Sequence, residues 1–248
     1  DSNASRGLGD VYKRQCVRRS LGRRSATCRC WSSVGEATCC CTETCTPWSC
    51  KWTSAVWRFR PQGATDAVVS AGAGEPWHGF VMQTLDDGWH GLENLSLIPG
   101  NVGASPMQNI GAYGVEVKDH FAWLDAVRIE DGALERFDAS KCQFGYRESV
   151  FKREERGKWI IVCVAFHLDR KSPLRMGYGA IEHELADIPV ERRTHRDVSE
   201  AVIRIRQSKL PDPSVVGNAG SFFKNPTVPA SLAQQLAKAH PSLSLIHI

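Results

Sequence analysis

Gly100, Gly103, Gly111 and Gly114 recur among small residues in the segment from Gly91 to Gly114, with Ser105, Gln108 and Asn109 adding hydrogen-bonding side chains. Glycine leaves no Cβ between main chain and ligand, so such a segment can press its backbone against a planar cofactor or a pyrophosphate. Glycine spacing alone favours a plain surface loop. Two further runs carry reactive groups, Cys142-Gln-Phe-Gly-Tyr-Arg147 and Asn218-Ala-Gly-Ser-Phe-Phe-Lys-Asn-Pro226. A guanidinium such as Arg147 can hold a carboxylate or a developing anion through charge-assisted hydrogen bonds. A serine hydroxyl such as Ser221 is a poor acid alone and gives up a proton only beside cations and a strong base. Each residue also has an ordinary structural reading. Arg147 can pair with Glu148 at the surface, Ser221 can fill a turn, and Tyr146 and Phe144 can pack in a core.

The elements that must position these groups become legible from Asp66 onward. Asp66–Gly74 reads as a strand ending in a glycine turn. A helix is expected over Glu75–Leu85, with Pro76 in its first turn and Gly88 after its end. Phe121–Glu130, Leu134–Phe137 and Trp159–Leu168 read as strands, the last so continuously apolar that it belongs in the middle of a sheet. Asp197 or Ser199 can cap a helix running to about Ser208 that Pro211 stops. Ser231 can cap another through Ala239. Strands mixed with short helices predict an α+β fold. Cys142 and Cys163 read as buried packing residues.

Charge and cysteine usage set the first sixty residues apart. They hold eleven Lys/Arg against four Asp/Glu, and the remainder holds twenty against twenty-three, so the net +4 arises at the front. A nucleic-acid reading would rest on that segment alone. Eight of the ten cysteines lie between Cys16 and Cys50, without a C-x-x-C pair, and the first histidine is His78. That pattern speaks against a zinc module. No secretory h-region precedes the cluster, which speaks against a disulfide framework. No apolar run reaches the roughly eighteen residues of a membrane span. Cytoplasmic localisation is the expectation.

Residues 16–60 carry four of the eight tryptophans and neither the strand nor the helical period. Regrouping their codons by one base permits a different text over residues 28–57. It reads Leu-Pro-Val-Leu-Val-Leu-Gly-Gly-Gly-Ser-Asn-Val-Leu-Leu, then a polar turn, then a second apolar strand. Strand, glycine turn and strand would make a pyrophosphate-binding loop. We read residues 16–63 as an out-of-frame translation of a first cofactor-binding subdomain, with the frame restored near Ala64. Residues 1–15 and 244–248 resemble adaptor or linker read-through. A genuine disordered basic arm is the alternative.

The segment Gly91-Leu-Glu-Asn-Leu-Ser-Leu-Ile-Pro-Gly-Asn-Val-Gly-Ala-Ser-Pro-Met-Gln-Asn-Ile-Gly-Ala-Tyr-Gly114 resembles the flavin-binding signature of the UDP-N-acetylenolpyruvoylglucosamine reductase family. The Cys142–Arg147 run resembles that family's C-x-F-G-Y-R motif, and Gly220–Pro226 its G-S-x-F-K-N-P motif. Lys209-Leu-Pro-Asp-Pro213 also fits, and Tyr178 falls where one branch carries a substrate-covering tyrosine loop. The resemblance covers about residues 64–243, in register. It implies an FAD-binding fold of the vanillyl-alcohol-oxidase/PCMH type, its second subdomain over 64–208, and the start of an α+β substrate-binding domain over 209–243.

It further implies FAD as cofactor, NADPH as co-substrate, and UDP-N-acetylglucosamine enolpyruvate as the small-molecule partner reduced in peptidoglycan precursor synthesis. Arg147 and Ser221 take the catalytic roles. Pro99, Gly100, Asn101, Gly103, Ser105, Gln108, Asn109, Ile110, Gly111 and Gly114 hold the flavin. Tyr113, Tyr146, Tyr178, Lys209, Lys224 and Asn225 hold the substrate. A monomer that binds no nucleic acid, membrane or metal is expected. The family's catalytic glutamate belongs to a W-L-E-P-E-V-R type segment that this sequence lacks, and Glu182 and Glu184 stand in the wrong context to replace it. Competing readings are another FAD-linked oxidoreductase of the same superfamily, or a non-enzymatic Cys-rich basic binding module.

Overall fold

The computed structural model describes residues 28–33, 36–41, 48–49, 58–212, 215–216 and 225–240. The readings made for residues 1–15 and 244–248, for much of 16–63, and for Ser221 and Lys224 lie outside the described residues. The chain forms two compact units, Asp1–Leu210 and Pro211–Ile248. Among the described residues no helix is long and apolar enough to cross a membrane.

In the first unit, β1 (Cys28–Ser33), β2 (Glu36–Cys41) and β3 (Trp48–Ser49) form a small antiparallel sheet in that order. The main sheet begins with β4 (Arg58–Pro61) and β5 (Asp66–Gly72), followed by helix α1 (Trp77–Asp86). A hairpin of β6 (Gly111–Ala112) and β7 (Val115–Glu116) comes next, then β8 (Phe121–Arg128), β9 (Leu134–Phe137), the short helix α2 (Ala139–Cys142) and β10 (Trp159–Asp169). The spatial order is β4-β5-β10-β8-β9, antiparallel throughout. The apolar run of β10 therefore sits at the centre, as its composition requires. The mixed helices and antiparallel sheet make the fold α+β.

The core forms where α1 lies over the sheet. Phe166 of β10 is fully buried against Trp77 and Phe80, with ring centroids 5.7 and 5.2 Å away. Trp77 Nε1 donates to the Leu95 carbonyl at 2.8 Å, so its one polar atom is paired inside the core. The helix starts two residues later than its sequence suggests, with Pro76 as the N-cap. Glu75 is held out of it: its N–H donates to Gly72 O and its carbonyl accepts from Val102 N.

Helix α3 (Gly179–Glu184) and helix α4 (His195–Lys209) build a second apolar cluster around Ile181, Leu185, Val198, Val202 and Ile205. The cap of α4 is Thr194, not Asp197 or Ser199. Thr194 and Asp197 close a reciprocal capping box, and Ser199 is buried one turn later, 2.7 Å from the Ser96 hydroxyl. The sequence Thr-His-Arg-Asp carried that signal. Thr194→Ala is expected to cost about 1 kcal/mol in a denaturant melt, with the slope unchanged.

In the second unit α5 (Ala230–Ala239) is capped by Pro229, and Ser231 lies inside the helix. Cys142 is buried as expected, and burial pushes its thiol up to about 12. Cys163 is only half-buried, because a register shift between Ile161 and Cys163 interrupts the inward alternation of β10.

Candidate functional site

Two glycine-rich backbones lie side by side at the end of β5. The turn Gly72-Ala73-Gly74-Glu75 is stitched to residues 100–103 by Gly103 N to Ala73 O at 2.9 Å, Val102 N to Glu75 O at 2.8 Å and Trp77 N to Gly100 O at 2.9 Å. A Cβ on Gly103 would lie 2.5 Å from Ala73 Cβ and 3.0 Å from its Cα and carbonyl oxygen. Only glycine permits that approach. The sequence marks the 72–75 turn as a strand end, and the fold makes it half of the site. Ser105 is buried and donates its hydroxyl to Val102 O at 2.7 Å, tightening the same turn.

Beyond it, Asn109 is fully buried at a φ of 45°. Its amide donates to Glu116 Oε2 at 3.1 Å and Gly145 O at 3.0 Å, and its Oδ1 accepts from Lys118 N at 2.9 Å. The side chain is thus a strut that ties the β6–β7 hairpin to the loop before Arg147. Gln108 and Pro99 are exposed, and Ile110 is half-buried. Ile110 N donates to Ser105 O, which keeps the segment compact. Asn101 bridges to Pro76.

The hairpin turns on Tyr113 and Gly114, both with positive φ (49° and 80°), the geometry that matches the twist of two-residue hairpins. A tyrosine pays conformational strain there that glycine does not. Two partners hold it. Asn94 donates to Tyr113 O at 3.0 Å and to Arg175 O at 2.8 Å. Arg206 of α4 acts electrostatically on the Tyr113 hydroxyl and donates Nε to Leu97 O at 3.1 Å. Burial pushes the Tyr113 phenol above its ordinary value, against the pull of Arg206. Tyr178, 41% exposed, meets Tyr113 edge to face at 5.3 Å.

Arg147 is half-buried, also in the left-handed region at φ 53°. Its guanidinium donates to the Gly111 carbonyl and lies 5.6 Å from the Tyr146 ring centroid. Lys152 Nζ donates to the Arg147 carbonyl at 3.1 Å. The fold therefore gathers Gly111, Tyr113, Tyr146, Arg147 and Tyr178 around one hairpin. Lys209 is exposed at the last position of α4, and Asn225 is exposed in the second unit. Asn94, Arg206 and the 72–75 turn are contributors that sequence reasoning missed. The recurrence Ala-Gly-Ala-Gly was a legible sign of the turn, whereas nothing local marks Asn94 or Arg206.

Residues 54–138 match the family model described as an FAD binding domain. The chain is 54% identical over 187 residues to the UDP-N-acetylenolpyruvoylglucosamine reductase of Chromobacterium violaceum, covering 75% of this chain and 55% of that protein. It is 56% identical over 176 residues to the protein of the same name from Pseudomonas fluorescens, covering 71% and 52%. A solved UDP-N-acetylenolpyruvylglucosamine reductase from Thermus caldophilus is 23% identical, with a TM-score of 0.45, covering 67% of this chain and 52% of that one. The chain spans about half the length of the curated relatives it matches. The aligned part is homologous to these reductases, and residues 54–138 are similar to an FAD binding domain.

Proposed function

We propose that this chain, homologous to UDP-N-acetylenolpyruvoylglucosamine reductases over the part that aligns, is the flavin-holding portion of an enzyme with that activity. The reaction is the NADPH-dependent reduction of UDP-N-acetylglucosamine enolpyruvate to UDP-N-acetylmuramate. The observations that carry the reading are the pair of stitched glycine backbones and an arginine fixed on Gly111.

The residues suit FAD. The small residues Gly72, Ala73, Gly74, Gly100, Gly103 and Ala104 let main chain approach a pyrophosphate, and a Cβ at Gly114 would meet nothing within 4 Å, so that turn is open to a ligand. FAD held there would supply two-electron hydride-transfer chemistry, with NADPH as the reductant and the enolpyruvyl β-carbon as the position reduced. Hydride arriving at that carbon leaves negative charge on the carboxylate side of the substrate. Arg147 stabilises it, its guanidinium oriented in advance by the Gly111 carbonyl. Ser221 then donates a proton to the α-carbon. Tyr113, Tyr146 and Tyr178 cover the substrate, and Lys209, Lys224 and Asn225 hold its diphosphate. The protein acts as a cytoplasmic monomer.

We further propose that residues 16–63 represent a shifted reading frame, which removes a first Gly-Gly-Ser-Asn loop. The 248-residue chain itself then binds FAD weakly and turns over no substrate. Purification followed by the flavin absorbance of the eluted protein tests this, and stoichiometric yellow protein would overturn it. The activity is tested with the frame restored and the chain extended to the length of its relatives. NADPH oxidation that depends on the enolpyruvyl nucleotide is expected. Its absence would refute the assignment.

A further inference from the structure

A compact group of titratable side chains lies behind the hairpin, outside the groups given roles above. His90 and His195 stack face to face with ring centroids 3.8 Å apart and planes 2° from parallel. His195 is the first residue of α4, and its Nε2 lies 3.9 Å from Glu93 Oε1 and 2.8 Å from the Ser172 carbonyl. The Glu93 side chain is 1% exposed and accepts from Gly91 N at 2.7 Å. His120 packs against Gly91 so closely that a Cβ there would lie 2.5 Å from its Cε1. His90 Nδ1 and His120 Nε2 are both buried without a protein hydrogen-bond partner. Among the described residues no group of three or more His, Cys, Asp or Glu is placed to hold a metal ion.

We propose that His90, His195 and Glu93 form an acid-sensitive clasp that fastens the N-terminus of α4 to the Gly91–Leu97 segment.

The argument rests on where charge can go. Glu93 can offset one imidazolium in this cluster. A second would face the first across 3.8 Å in a half-buried place, and its new N–H would have no acceptor at His90 Nδ1. The groups that act on His90 from each neighbouring element are His195 on α4, Glu93 below it, and Asp169 and Arg170 at the end of β10. Burial first, and His195 second, hold His90 below its ordinary value. Burial does the same to His120, which also feels Glu93, Arg175 and Asp119.

The sign follows from linkage. A histidine whose folded pKa is depressed binds fewer protons folded than unfolded. Its contribution is whole above the unfolded value and is lost as pH falls through that value toward the folded one. The strain is released most cheaply by parting the stacked rings, which belong to two different elements. Opening the first turns of α4 would free Ser199 from Ser96 and loosen the far end, where Arg206 holds Leu97 and Tyr113. Acid therefore unfastens the tyrosine side of the site before it unfolds the sheet.

Hydrogen exchange on the whole chain tests this, comparing about pH 7.5 with about pH 5.5 after correction for intrinsic rates. The α4 amides are expected to lose about tenfold more protection than those of α1 in the same sample. His90→Phe keeps a ring stacked on His195 and removes the second charge, so it should abolish that excess. If α4 and α1 lose protection in parallel, or if His90→Phe leaves the excess in place, there is no clasp. Should that variant fail to fold, imidazole proton titrations of the unsubstituted chain decide. Coupled two-step curves for His90 and His195 support the clasp, and independent curves at ordinary histidine values overturn it.

Discussion

Replacing Arg147 with lysine, in the chain extended to the length of its relatives, is expected to lower the rate of nucleotide reduction by about 10²–10³-fold with little change in flavin content. Lysine keeps the charge and loses the fork. Arg147 spends one N–H arm on the Gly111 carbonyl, which leaves the rest of its planar guanidinium aimed by that contact. An ammonium that reaches Gly111 has nothing rigid left to present, and one that reaches substrate is no longer held. Both side chains face the same backbone demand at φ 53°, so the comparison isolates side-chain geometry. Single-turnover oxidation of pre-reduced enzyme by the nucleotide separates this step from NADPH binding. A lysine variant within about threefold of the parent rate would show that Arg147 plays no part in charge stabilisation.

Gly103→Ala should strike at the cofactor instead. The added methyl would stand 2.5 Å from Ala73 Cβ, with the Ala73 Cα and carbonyl only 3.0 Å away, so main chain must separate from main chain. Overpacking of this kind costs about 1–3 kcal/mol, and here it parts the two backbones that would receive the pyrophosphate. The expected result is a lower melting temperature together with loss of whatever flavin the parent retains. Ala73→Gly in the same chain removes one of the clashing atoms and should restore part of both, because the two positions touch. Unchanged flavin retention in the single variant would mean that the 72–75 turn and the 100–103 segment do not share the ligand.

The sheet was legible because its determinants are local. Eleven residues of β10, nearly all apolar, cannot be solvated on either face, and the centre of a sheet is where such a strand goes. β9 was read to the residue, since the Asp131-Gly132 turn and Asp138 bracket it. Capping was less legible. Thr194, Asp197 and Ser199 are all eligible by type; the capping-box spacing of Thr194 and Asp197 favours Thr194, and the rest of the choice depends on which side chain faces the core. Ser199 does, on account of Ser96, more than a hundred positions earlier.

The site divides the same way. Glycine recurrence betrayed the 100–114 segment, and a Gly-Tyr-Arg triplet drew attention to Arg147. That the Asn109 amide points inward, that Arg147 reaches back to Gly111, and that Asn94 and Arg206 hold Tyr113 are consequences of packing between distant segments. Asn94 and Tyr113 share the 91–114 segment, and the partners of the other pairs lie 36 or more positions apart.

The strand order carries a consequence for how the chain is made. β5 finds its inner partner only in β10, whose residues 159–169 leave the ribosome long after Asp66–Gly72 have emerged. β8 and β9 can close a hairpin at once, and β10 can join them as soon as it appears, whereas β5 has only the short β4 to pair with in the meantime. During that interval Ala67–Ala71, buried in the finished fold, is an open apolar edge available to other nascent chains. A synthesis arrested before Asp169 should therefore yield aggregates rather than a smaller soluble domain.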